Sequence, residues 1–74
     1  MELEIKVQKL LELLLGKPID PAKTALGVEP LWDSMKHIEI VMTIEEEFGV
    51  LFDPSVIPTL VSYAAIVAKL REIA

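Results

Sequence analysis

Apolar residues recur every three or four positions from Glu2 to Leu15, at Leu3, Val7, Leu10, Leu11 and Leu14, with Glu4, Lys6, Lys9 and Glu12 set between them. That spacing predicts an amphipathic helix. Gly16 supplies a left-handed C-cap, and Lys17-Pro18 prevents continuation. Pro18, Pro21, Gly27 and Pro30 then fall within residues 17 to 33, a density no ordinary helix tolerates, so this stretch is a long connection. Its apolar residues Ile19, Ala25, Leu26, Val28, Leu31 and Trp32 are expected to fold back over the core.

The helical period returns from about Met35 to Phe48. Val41, Ile44 and Phe48 share one face, while Met35, Ile38 and Met42 make a second apolar stripe rotated from the first. A helix apolar on two sides is either fully buried or partly reserved for a partner, and flexible methionine favours the partner. Gly49 ends the helix. Asp53-Pro54-Ser55 starts a short third element over Asp53 to Ile57, either a turn of helix or an irregular link that ends at Pro58, and Thr59 can cap a last helix from Leu60 to Ile73 whose stripe is Tyr63, Ile66, Val67, Leu70 and Ile73. No segment keeps the alternation of a strand. The predicted architecture is all-α: three main helices, a short third element and a long first loop, around a core of Leu10, Leu14, Val41, Ile44, Phe48, Val67 and Leu70. Bundles of this kind hold small-molecule space between their helices.

Size and composition narrow the function. Seventy-four residues, 53% of them hydrophobic, build one small core, so residues 1 to 74 form a single domain without an interdomain cleft. The absence of cysteine removes disulfides and thiolate metal sites, and the fold rests on packing. Twelve acidic residues against seven basic ones give a net charge of −5, which argues against nucleic acid as a partner and for a basic protein surface. The run Leu13-Leu14-Leu15 is too short to span a membrane, and Glu2 and Glu4 stand where a secretion signal wants cations, which leaves the cytoplasm as the expected location.

The candidate chemistry is concentrated at Asp33-Ser34-Met35, where the second helix begins. Asp and Ser are the residues preferred at any helix start, so a capping role alone explains the dipeptide in isolation. His37 is the only histidine, lies too close to Ser34 on the same helix to serve as its base, and reads as a solvated side chain without a catalytic role. Glu39, Glu45, Glu46, Glu47 and Asp53 follow Lys36 with no basic residue among them. Such a run is ordinarily a solvated face.

Taken together, the long Pro-rich approach, the serine at a helix start beside Asp33, and Ile38, Val41, Glu45 and Phe48 on the helix that follows resemble the acyl carrier protein family. That family carries 4′-phosphopantetheine on the serine of an Asp-Ser-Leu motif. The resemblance covers essentially the whole chain and implies a non-enzymatic, monomeric carrier: Ser34 bears the arm, Asp33 flanks it, and the arm, taken from coenzyme A, supplies the thiol this chain lacks. It also implies a docking face of Met35, Ile38, Glu39, Met42, Glu45 and Glu46 for a phosphopantetheinyl transferase and for acyl-loading and acyl-processing enzymes with basic patches. The helix start suits the phosphodiester, because free N–H groups and the positive dipole end favour its charge. Met35 and Lys36 replace the usual leucine and acid, and Trp32 stands where small residues are common. The Asp-Ser-Met form, with Leu31 on its approach, looks more like carriers of D-alanine or other amino acids, so fatty, polyketide and aminoacyl cargo all stay open, as does an unmodified helical interaction module.

Overall fold

The computed structural model describes residues 2–73. Three helices, α1 (Glu2–Leu15), α2 (Ser34–Phe48) and α3 (Tyr63–Ile73), account for the secondary structure together with one 3-10 turn at Ile57–Thr59. The fold is all-α. Among the described residues β-type pairing is confined to two isolated bridges, Ala25 with Ser62 and Leu26 with Glu29.

α1 packs against both α2 and α3. Its buried stripe is Val7, Leu11 and Leu15, which meets Ile40, Val41 and Ile44 of α2 and Ile66, Val67 and Leu70 of α3 in one cluster. Each such side chain contributes about 1.5–3 kcal/mol on leaving water. Of the expected core, Val41, Ile44, Val67 and Leu70 are buried, while Leu10, Leu14 and Phe48 lie at its edge. The α1 stripe is rotated because the helix faces two partners at once. Phe48 sits at the last position of α2 with the Lys6 ammonium 5.0 Å from its ring centre.

α1 and α2 end on the same device. The Glu12 carbonyl accepts from Gly16 N–H (2.8 Å) and Lys17 N–H (3.2 Å), and the Glu12 carboxylate reaches forward to Ile19 N–H at 3.2 Å. At the end of α2 the Glu45 carbonyl accepts from Gly49 and Val50, and its carboxylate accepts from Phe52 N–H at 2.7 Å. Gly16 and Gly49 have φ of 73° and 65°, a left-handed turn that a Cβ disfavours, and that turn brings the chain back within reach of the carboxylate.

The connections depart from expectation in three places. Trp32 is buried and Ile19 and Leu26 pack on the core, but Val28 and Leu31 of the first loop are exposed. Residues 53–56 form no helix: residues 54–56 are a turn in which Ser55 donates twice to Asp53, and the 3-10 turn at Ile57–Thr59 follows with Pro58 inside it. α3 begins at Tyr63, not Leu60. Thr59 Oγ1 donates to the Val56 carbonyl at 2.6 Å, and the cap is Ser62, whose Oγ accepts from Ala65 N–H at 3.0 Å. The reason is tertiary. Leu60 is buried, and Leu26 N–H to Val61 (2.8 Å) and Tyr63 N–H to Thr24 (3.2 Å) hold the chain extended against the first loop.

Candidate functional site at the start of the second helix

Asp33 is the N-cap of α2, in extended backbone geometry (φ −100°, ψ −174°), and its Oδ1 accepts from Lys36 N–H at 2.8 Å. Its carbonyl accepts the first helical bond, from His37 N–H at 2.8 Å. With capping done by Asp33, Ser34 becomes the first helical residue, and its side chain is exposed. The amides of Ser34 and Met35 have no carbonyl behind them within the helix, so the positive end of α2 lies beside the hydroxyl. The other two serines are engaged: Ser55 Oγ donates to Asp53 at 2.7 Å, and Ser62 caps α3.

Beyond Ser34 the two sides of α2 diverge. Met35 is 84% exposed, Ile38 52% and Met42 62%, so the second apolar stripe is a surface feature. Glu39 and Glu46 flank it and are exposed. Glu39 receives a hydrogen bond from the Lys36 ammonium at 2.9 Å. Glu47 lies on another side of the helix, 4.0 Å from Lys6. Glu45, expected on the docking face, is half-buried and its carboxylate is committed to Phe52 N–H, which makes it a structural acid first.

The opposite side carries a correction. His37 is 6% exposed instead of solvated, and lies on the core face with Ile40, Val41 and Ile44. Its Nδ1 accepts from Trp32 Nε1–H at 3.0 Å, its Nε2 is 2.9 Å from the Ile57 carbonyl, and the two ring planes lie within 24° of each other with centres 6.0 Å apart. Trp32 is 1% exposed. The link fastens the approach to Ser34 and the first turn of α2 to the 3-10 turn. A signal was present in the chain, since three- and four-residue steps back from Ile40 and Val41 both land on His37.

A hollow of about 250 Å³ is lined by Lys17, Pro18, Ile19, Asp20, Lys23, Thr24, Val28 and Glu29. It belongs to the first loop, not to the space between helices where small-molecule room was expected, and α2 contributes nothing to it. At its edge Lys17 donates to Glu29 at 2.8 Å, and that contact with the Leu31 N–H holds the Glu29 carboxyl below the usual range. Among the described residues there is no cluster of His, Asp and Glu fit to hold a metal ion, and no helix long and apolar enough to cross a membrane. Comparison with known protein families, with curated proteins and with solved structures gives no match.

Proposed function

We propose that this chain is a carrier domain whose Ser34 is esterified by 4′-phosphopantetheine, and that it shuttles acyl groups as thioesters on that arm between enzymes of fatty-acid, polyketide or related biosynthesis. The observation that carries the reading is the free-standing hydroxyl of Ser34 at the positive end of α2, with Asp33 doing the capping that would otherwise occupy it. The site fits such a group: Ser34 Oγ is open to solvent for the ester bond, and the first-turn amides favour the phosphodiester charge. When bound, the arm supplies the thiol. The chain's own part is to present the serine and to be recognised, and the short 3-10 turn between α2 and α3 answers to the minor element of a carrier bundle.

Recognition falls to the exposed stripe of Met35, Ile38 and Met42 with Glu39 and Glu46 beside it. A transferase or client enzyme with a basic groove would meet both features, the charges setting orientation and encounter rate more than affinity. Met35 directly after Ser34, with Leu31 on the approach, keeps aminoacyl cargo, D-alanine included, as the second reading within the same class. Incubation with coenzyme A and a phosphopantetheinyl transferase, followed by intact mass, tests the proposal. The wild type should gain one arm and Ser34→Ala none. Equal gain by both would move the site elsewhere, and no gain by the wild type would leave an unmodified interaction module.

A further inference from the structure

We infer that the Trp32–His37–Ile57 link is a proton-operated latch, closed while the imidazole is neutral and opened when it takes up a second proton. An indole Nε1–H is a donor only, and a backbone carbonyl is an acceptor only. With Trp32 Nε1 at 3.0 Å from Nδ1 and the Ile57 oxygen at 2.9 Å from Nε2, His37 must accept at Nδ1 and donate at Nε2. The structure therefore fixes both the charge state and the tautomer.

A proton on Nδ1 would set two N–H groups against each other at 3.0 Å in a place where the indole has no water to turn to. Leaving that buried donor without an acceptor and burying a cation beside it both disfavour the closed arrangement. No carboxylate stands ready to compensate. Of the charged groups on the segments that hold the ring, Asp33 accepts from Lys36 N–H, Lys36 is paired with Glu39, Glu29 with Lys17, and Asp53 accepts from Ser55. Ile57–Thr59 contributes no titratable side chain, and both ring nitrogens are already taken. Opening frees the 3-10 turn from the first turn of α2 and lets water reach Trp32. The latch is independent of whether Ser34 carries an arm.

Because Trp32 is the only tryptophan, the unmodified protein reports on the latch directly. Long-range nitrogen–proton NMR at about pH 8, above the interval in which imidazoles titrate, should show the Nε2–H tautomer of His37. Lowering the pH to below that interval should shift Trp32 emission to the red and raise its quenching by acrylamide while helical circular dichroism is retained. His37→Gln, which stays neutral, should lose this transition. An Nδ1–H tautomer would overturn the latch, as would a Trp32 signal that follows the same pH course in both proteins or stays unchanged while the imidazole titrates. If His37→Gln does not fold, the tautomer and the concurrence of the imidazole and indole titrations in the wild type decide the matter.

Discussion

α2 presents two apolar faces that are alike in composition and opposite in fate. Ile40, Val41 and Ile44 are buried, while Met35, Ile38 and Met42, drawn from the same kinds of side chain, face water. The difference lies in what surrounds each stripe. The buried one adjoins His37 and is closed over by Trp32, Phe52 and Leu60 from the connections, so residues far apart in sequence complete it. The exposed one is bordered by Glu39 and Glu46 and begins at Ser34. Apolar area left in water next to a free hydroxyl and a helix start is what a transient partner can use, whereas a stripe needed by the core is already covered.

The sharpest way to break this contrast is truncation on each face. Ile44→Ala should destabilise the domain by about 2–5 kcal/mol, a large part of the stability of so small a fold. Met42→Ala should change it by less than about 0.5 kcal/mol. Urea melts of the two variants measure both, and equal losses would show that the methionine stripe is packed.

Charge reversal comes next in size. On the proposed carrier reading, Glu39→Lys with Glu46→Lys should slow transfer of the arm to Ser34 by roughly tenfold at low salt, with the wild-type rate falling as salt rises and the melting temperature of the variant unchanged. Glu45 is left out of that pair because its carboxylate holds Phe52 N–H, so that reversing it would disturb the fold as well as the face. A rate unmoved by reversal or by salt would reduce the acidic face to solvated surface.

The smallest effect separates that face from acids that serve the structure. Glu29 is held below the usual carboxylate range by Lys17 and by Leu31 N–H. Its folded form is favoured ionised, so the contribution is present above the ordinary carboxylate range and is lost as pH falls through the lowered value. Acid titration followed at the Leu31 amide should show local loosening of the first loop, absent in Glu29→Gln. A Leu31 amide that titrates alike in both proteins would break the assignment.

What the chain discloses before folding follows from distance along it. The bounds of α1, both glycine C-caps and the exposed methionine stripe depend on neighbours within a turn or two, and they are legible as periodicity and punctuation. The start of α3 is not, because Leu60, Val61 and Ser62 are kept out of the helix by a loop more than thirty residues earlier, through Leu26 N–H to Val61 and the Ala25–Ser62 bridge. His37 misleads for the same reason. Its acceptor, the Ile57 carbonyl, lies 20 residues on, and without that partner a histidine in a helix's first turn reads as solvated. At the candidate site Asp33, Ser34, Met35 and Ile38 are legible, while the second duty of Glu45 appears only once the chain has turned back on itself.

The shared ending of α1 and α2 bears on how the molecule reaches its fold. Glu12 and Glu45 each close a contact to a residue seven positions ahead, so both exits are settled within one short piece of chain. Closing so small a loop takes little chain entropy, and contacts of this kind favour fast folding because they wait for no distant segment. The slow part of assembly is thereby left to the meetings across the molecule: α1 with α3, the first loop with residues 61 to 63, and His37 with Ile57.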